Sequence, residues 1–439
     1  MICLLPNCGF LSETSRILEL HRALTARGVE VATATHGGPY VDLLREHGVQ
    51  VDVLGDGWTP ERVREFVASI PGIGPPGQSM WTDAEIRQYV ALEAEYFRAR
   101  DVQAVVTGWT LTALLSSQLA GIPVIVEHSG AFVPPLFERG RAIPPETPMG
   151  LPLEGLMPAR LRKFLFNKGL PRRKVYTEGF NRVANELGVA GVPSFPALLM
   201  GDLTLITDIP EVFGVPRDEV DGWIPKPAAS YRSNARLRYT GPLFAHFDLP
   251  VPDRVERFLA TQDPVAYVAL TSTSADLVRD VVAQVRTAVP KVLVAGTSHD
   301  LSDLESEHVL VERVLPSHQL MPRVAVAVIT GGQGSVQTAM AAGTPFVGIP
   351  LQAEQAANLD LAERQGVART VPLSQATVGV ANAVRAILAD PQTKRNAQRI
   401  SELYATTDGA GTAAEAIIDA ASLGPRGKVG VEHSTKRRS

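Results

Sequence analysis

Short apolar runs alternate with stretches of helical spacing, and they do so twice along a chain of 439 residues. MICLLP (1–6) is brief and apolar, the pattern of a strand buried on both faces. Ile17, Leu20 and Leu24 then fall at helical spacing within 13–27, and Gly28 stops that helix. VEVATAT (29–35) reads as a second strand, 41–48 as a short helix and VQVDVL (49–54) as a third strand. AVVTGW (104–109), TALLSSQLA (112–120) and IPVIVEH (122–128) repeat the strand–helix–strand unit. LTLIT (203–207) and RYTGPL (238–243) complete the first half. Repeated units of this kind require a parallel sheet with helices on both faces, because a parallel neighbour is reached only by crossing over a face.

The second half repeats the scheme. VAYVAL (265–270), KVLVAG (291–296), HVLVER (308–313), VAVAVIT (324–330) and FVGIP (346–350) read as strands. Helices are expected over 275–288 and 335–342, and near 353–366, 379–389, 392–405 and 412–422. Residues 131–200 break the rhythm, with prolines, aromatics and helical pieces, as insertions lining a cleft often do. The Pro-bearing stretch 245–262 reads as the linker. The expected organisation is α/β: an N-terminal domain over 1–244, the linker, a C-terminal domain over 263–422 and a disordered tail over 423–439. Two such domains leave a cleft at the carboxyl ends of their sheets, where open α/β sheets bind ligands.

Composition removes several function classes. The 42 Lys and Arg against 46 Asp and Glu give a net charge of −4, without the basic excess of a nucleic-acid binder. The two cysteines, Cys3 and Cys8, both lie in the first apolar run, which fits a reducing compartment. The start lacks a basic segment and Pro6 breaks its apolar run, so a signal peptide is not expected. No run approaches the ~18 apolar residues of a membrane span. A cytoplasmic protein is expected. Residues 160–174, RLRKFLFNKGLPRRK, carry seven basic residues and no acid, with Leu161, Phe164 and Leu165 between them. Such a stretch is either a solvated helix face or a contact for an anionic membrane. There is no Asp-x-Asp pair and no His/Cys cluster of metal-ligand spacing, so no metal is expected.

Residues 330–358, TGGQGSVQTAMAAGTPFVGIPLQAEQAAN, carry the strongest chemical signal. A buried strand ends at Thr330, a loop follows through Gly331, Gly332, Gln333 and Gly334, and Ser335 opens a helix. Such a turn presents unpaired N–H groups and the positive helix end to an anion, while its glycines let a phosphate approach. By itself the loop is equally readable as an ordinary glycine-rich turn.

Its continuation, Gly343-Thr344-Pro345, then Pro350, Glu354-Gln355 and Asn358, resembles the HGGxGSxxE…GxPxxxxPxxxDQxxNA signature of the family 1 glycosyltransferases, the UDP-glycosyltransferase superfamily. RALTARGVEV (22–31), GIPVIVE (121–127), YTGPL (239–243) and VERVLPSHQLMPRVAVAVIT (311–330) also fit, in order, over most of the chain. The resemblance implies the GT-B architecture, two Rossmann-like domains facing an interdomain cleft, with a last helix free to return to the first domain. It implies transfer of a sugar from a nucleotide-diphosphate donor to a small apolar acceptor, with inversion and without a metal. Thr271 and Ser272 then lie where a strand-end loop touches the diphosphate, and Val314 to Ser317 where the base packs. Thr330, Gly331, Gly332, Gln333, Gly334 and Ser335 make the phosphate loop, and Glu354 with Gln355 hydrogen-bonds the sugar hydroxyls. Phe10 and Trp109 are candidate acceptor walls.

The chain departs from the signature in two ways. Thr330 stands where the family has His, and Thr338 where it has a Glu that grips both ribose hydroxyls. The second change tilts the expected donor toward a dTDP-sugar, with UDP-sugar close behind. The catalytic His after the first strand is also missing. Counting back from Arg27-Gly28 puts Glu13 there, and the family's orienting Asp falls near Thr107. Glu13 reads either as a replacement base or as a first-turn carboxylate helping its helix. His36 and His128, both at strand ends, are the other candidate bases. Loss of both dyad positions leaves two alternatives: a catalytically silent homologue that binds nucleotide or assists a partner, and a sugar-nucleotide epimerase. Acceptor identity and oligomeric state are not legible.

Overall fold

The computed structural model describes residues 1–439 except 71–77, 145–153, 175, 227–229, 245–248, 271–272, 298 and 423–439. Two parallel sheets organise it. The first has seven strands in the order β3-β2-β1-β4-β5-β6-β7. They are β1 (Ile2–Leu4), β2 (Val31–Thr35), β3 (Val51–Val53), β4 (Ala104–Thr107), β5 (Val124–His128), β6 (Leu203–Ile206) and β7 (Arg236–Tyr239). The second has six strands in the order β10-β9-β8-β11-β12-β13. They are β8 (Val265–Ala269), β9 (Lys291–Ala295), β10 (Val309–Glu312), β11 (Val326–Ile329), β12 (Phe346–Gly348) and β13 (Ala368–Thr370). Every pairing is parallel. The central strands are buried throughout, which is why they read as unbroken apolar runs.

Strand order reverses between β1 and β4 in the first sheet and between β8 and β11 in the second. A crevice opens at such a switch point, because successive crossovers leave on opposite sides of it. The loops after β1, β4 and β11 lie at these switch points, where open α/β sheets bind ligands. The fold is the two-domain α/β class expected from the sequence, with three differences in detail. β13 is an additional strand of only three residues. The phosphate-loop helix, Gln333–Ala341, starts two residues before Ser335. The stretch between β3 and β4 supplies two helices, Pro60–Ser69 and Asp83–Ala99, the latter opened by a capping box between Thr82 and Glu85.

The last helix, Gly409–Ser422, lies on the first sheet. Its Ala413, Ala414, Ala416, Ile417 and Ala420 are buried with Ile2, Leu4, Ile17, Leu20 and Val106. Small residues allow that close approach, and a Cβ on Gly409 would collide with the Pro242 carbonyl. Of the linker, 245–248 lie outside the described residues and Asp253–Leu259 form a helix. The 423–439 tail also lies outside them.

Candidate active site

The C-terminal wall is built where β11 gives way to a helix. Thr330 is buried at the strand end. Gly331 has φ +91°, and a Cβ there would sit 2.7 Å from Leu359 Cγ, so the turn requires glycine. Gly332 occupies the N-cap position with no side-chain cap, and with the Gln333 N–H turned to Glu354 the N–H groups of Gly334 and Ser335 are the first-turn donors left for an anion. Gly334 is exposed at this turn, Ser335 is half-exposed, and a Cβ on Gly334 would meet nothing within 4 Å. Thr338 Oγ1 donates back to the Gly334 carbonyl at 2.7 Å, so its hydroxyl is already engaged within its own helix.

The following helix, Ala353–Arg364, joins the same site. Asn358 Nδ2 donates to the Gly331 carbonyl (3.2 Å) and to Glu354 Oε1 (2.8 Å), locking loop and carboxylate together. Burial pushes the Glu354 carboxyl up, opposed by the Asn358 hydrogen bond, the Arg16 charge and the Gln333 backbone N–H. Gln355 is buried, and its Oε1 accepts from the Leu351 N–H at 2.7 Å, leaving the NH2 end for a ligand. Ser317 Oγ shares a 2.8 Å hydrogen bond with the Tyr267 hydroxyl, while Val314 beside it is 55% exposed. Thr271 and Ser272 lie outside the described residues.

The loop reaches across to the other domain. Gln333 Nε2 donates to Thr207 Oγ1 and Gln337 Nε2 to the Thr207 carbonyl, just after β6. Next to it, Tyr404 donates to Asp208 Oδ1 at 3.0 Å. Burial pushes the Asp208 carboxyl up to about 7, opposed by the hydrogen bonds from the Ile209 N–H and Tyr404.

The N-terminal wall is lined by buried charge. Glu13, in the first turn of the helix Leu11–Thr25, is fully buried. Its Oε1 accepts from the backbone N–H groups of Asn7 (3.0 Å), Gly108 (3.0 Å) and Trp109 (2.9 Å). It thereby ties the loop after β1 to the loop after β4, while Oε2 has no partner. Arg16 Nε donates to Glu127 Oε2 at 2.7 Å, and both side chains are buried. The Glu13 and Glu127 carboxylates flank Gly108, where a Cβ would touch both. Burial first, then the Glu127 charge, push the Glu13 carboxyl up to about 7, against the N–H donors and Arg16. Arg16 feels Glu127, Glu13 and, from the opposite domain, Glu354.

The two histidines differ sharply. His128 Nδ1 accepts from the Gly130 N–H at 3.0 Å, and burial, then Arg16, lower its pKa to about 4. His36 Nε2 lies 2.7 Å from Glu93 Oε1, and its ring stacks on Tyr89 with centroids 4.3 Å apart. Thr107, near which the resemblance puts the family's Asp, has its Oγ1 engaged by the Thr110 N–H at 3.0 Å. Phe10 and Trp109 pack together, with centroids 6.1 Å apart, and Phe10 continues onto Phe66. Among the described residues no group of three or more His, Cys, Asp or Glu is arranged to hold a metal ion, and no helix is long and apolar enough to cross a membrane. In the basic stretch, the helix Ala159–Gly169 exposes Leu161 (44%) and Phe164 (58%).

Arg16, Glu127, Glu93 and Thr207 escaped sequence reasoning, although three of them left a trace. Glu13 and Arg16 fall on the apolar stripe of their helix with Ile17, Leu20 and Leu24. Glu127 interrupts an apolar strand, and Glu93 shares a buried helix face with Ile86, Val90 and Phe97. A charge at a core position needs a partner, so such positions mark a buried network.

The fold is that of a two-domain GT-B enzyme, with a glycine turn and an uncapped helix start in its second domain. A family model described as UDP-glucoronosyl and UDP-glucosyl transferase matches residues 231–407. A PGL/p-HBAD biosynthesis glycosyltransferase of Mycobacterium tuberculosis is 26% identical over 75% of this chain and 73% of its own length. The 4'-demethylrebeccamycin synthase of Lentzea aerocolonigenes is 33% identical over 36% of this chain and 37% of its own. In structure, the glycosyltransferase VinC, solved in complex with dTDP, superposes with a TM-score of 0.64 at 16% identity, covering 97% of this chain and all of that one. This last likeness is one of fold. Residues 231–407 carry the family 1 glycosyltransferase pattern, and the chain is a glycosyltransferase.

Proposed function

We infer that this enzyme moves a sugar from a dTDP- or UDP-sugar to a hydroxyl of a small apolar acceptor, a natural product or lipid-like molecule, with inversion and without a metal ion. The observation that carries this reading is the uncapped N-terminus at Gly332–Ser335, next to Glu354, at the carboxyl end of β11. Its first-turn N–H groups and helix dipole suit a diphosphate, supplying the charge stabilisation that a divalent cation would otherwise give. Glu354 and Gln355 offer acceptor and donor groups to vicinal sugar hydroxyls. Thr338 in place of a ribose-gripping carboxylate favours a base-sugar pair that needs no such grip. A relative named as a PGL/p-HBAD biosynthesis glycosyltransferase, another named 4'-demethylrebeccamycin synthase and a fold neighbour solved with dTDP support the substrate classes. The exposed Leu161 and Phe164 on a basic helix support peripheral contact with an anionic membrane.

Thermal stabilisation by a panel of nucleotides tests the donor assignment. A ligand at 100 times its Kd adds about 2.7 kcal/mol to stability. dTDP and UDP are expected to stabilise the protein and GDP to do so much less; a protein indifferent to all three would refute the reading.

A further inference from the structure

We propose that His36 is the catalytic base, positioned by Glu93, in a small pocket that admits the hydroxyl of the acceptor. The proposal rests on the glycosyl-transfer reading and names a base away from the loop after β1.

The turn that carries His36 is built into the end of β2. Thr35 Oγ1 donates to the Pro6 carbonyl at 2.8 Å, and the Trp58 N–H donates to the His36 carbonyl at 2.7 Å. Gly37 and Gly38 follow with φ +94° and +133°. A Cβ on Gly37 would sit 2.8 Å from Trp58 N, and one on Gly38 would collide with the Cys8 backbone. The His36-Gly37-Gly38 sequence therefore lets this turn press against both the loop after β1 and the backbone at Trp58, which fixes the imidazole.

Glu93 reaches the ring from the helix Asp83–Ala99 and is fully buried. Ser116 Oγ donates to its Oε2 at 2.6 Å, and Thr112 Oγ1 donates to its Oε1 beside His36. A carboxylate accepting from two hydroxyls completes its set by accepting from His36 Nε2–H. That leaves Nδ1 of the neutral ring with its lone pair. Nδ1 is buried and has no hydrogen-bond partner. His36 is 5% exposed and lines a small enclosed pocket, with room for a single water-sized group, together with Trp58, Trp81, Tyr89, Asn7 and Thr110. An oriented imidazole with a free basic nitrogen in an aromatic-walled pocket is the arrangement of a general base awaiting an acidic hydroxyl.

The other two candidates fail on geometry. His128 Nδ1 is taken by the Gly130 N–H, so its neutral ring carries the proton on Nε2 and has no free basic atom. Glu13 is sealed beside the Glu127 carboxylate and holds two loops together. The pocket borders the loop after β1, since Asn7 lines it and donates its N–H to Glu13.

In the step, the acceptor oxygen bonds to the anomeric carbon while its proton passes to His36 Nδ1. The bond from that carbon to the diphosphate oxygen breaks, and its electron pair leaves with the nucleoside diphosphate. Glu93 stabilises the imidazolium, which then returns the proton to water.

The test uses the full-length enzyme with dTDP-glucose and UDP-glucose as donors and 4-methylumbelliferone as the acceptor probe. His36→Gln keeps a donor for Glu93 but removes the base, and is expected to cut kcat at least ~100-fold with dTDP binding unchanged. Glu93→Gln is expected to cut kcat at least ~10-fold, again without loss of dTDP binding, and carries the test if His36→Gln does not fold. Glu13→Gln, which keeps an acceptor oxygen for the three N–H groups, should lose less kcat than His36→Gln. Turnover within ~5-fold of wild type in a folded His36→Gln overturns the proposal, as does a ~100-fold loss confined to Glu13→Gln. A wild type that binds dTDP but glycosylates no phenol also overturns it. A wild type that binds neither nucleotide refutes the donor reading instead.

Discussion

The two walls of the cleft solve the same problem, presenting polar groups in a dry place, by opposite means. The C-terminal wall uses backbone: a glycine turn, an uncapped helix end and one carboxylate held by Asn358. The N-terminal wall uses side chains, burying Glu13, Arg16 and Glu127 together and His36 with Glu93 nearby. Backbone N–H groups cost little to keep ready, because a helix end leaves them unpaired in any case. Buried charges must be paired residue by residue, so the N-terminal wall is both more costly and more easily altered. The residues that resemble a family signature all lie in the backbone-built wall.

The sharpest way to break the comparison is to unpair the buried charges. Arg16→Met leaves Glu127 without its cation in a fully buried site, and should lower stability by about 3–5 kcal/mol. Urea denaturation measures this; a shift under about 1 kcal/mol would mean that the N-terminal wall is as tolerant as a solvated surface.

A pH dependence follows from Glu13. Its carboxyl is raised to about 7 in the folded protein, against 4.5 for the free side chain. A raised acid binds its proton more tightly when folded, so its contribution is fully present below 4.5 and is lost as pH rises toward 7. Glu13→Gln should escape that loss, gaining on wild type by up to about 3 kcal/mol across the interval. Melting temperatures of both proteins at pH 5 and pH 8 check the sign, and parallel curves would remove Glu13 from the account.

For the C-terminal wall, Gly334→Val should leave the fold intact, since no atom lies near the new Cβ, but should bar the diphosphate. The expected loss of dTDP affinity is at least 100-fold, about 2.7 kcal/mol. Calorimetric titration decides, and unchanged affinity would move the donor site elsewhere. The smallest effect concerns the nucleotide: with Thr338 turned back on its own helix, dTDP should bind at least as well as UDP. A tenfold preference for UDP, about 1.4 kcal/mol, would contradict this.

The same contrast governs what could be read from residues alone. Parallel sheets made of buried strands announce themselves, and the glycine loop with its downstream Glu354, Gln355 and Asn358 is contiguous, so local spacing suffices. β13 was too short to register, with one of its three residues exposed. The charged network of the N-terminal wall joins positions as far apart as Arg16 and Glu127. Only the order of strands in the sheet brings these together. Glu13 was found because the family leaves a gap there, whereas its three backbone partners come from loops that no spacing rule connects.

The returning C-terminal helix has a mechanical consequence. The chain leaves the first domain just after Gly241–Pro242 and comes back at Thr407–Gly409, and a Cβ on Gly241 would meet Thr407 and Gly409. Outgoing and incoming crossings thus lie against each other, like the two leaves of one door hinge. The Gln333 and Gln337 contacts to Thr207 act as a latch between the domains. With the two crossings side by side, any parting of the domains would turn about one line and would have to break the Gln333 and Gln337 contacts to Thr207.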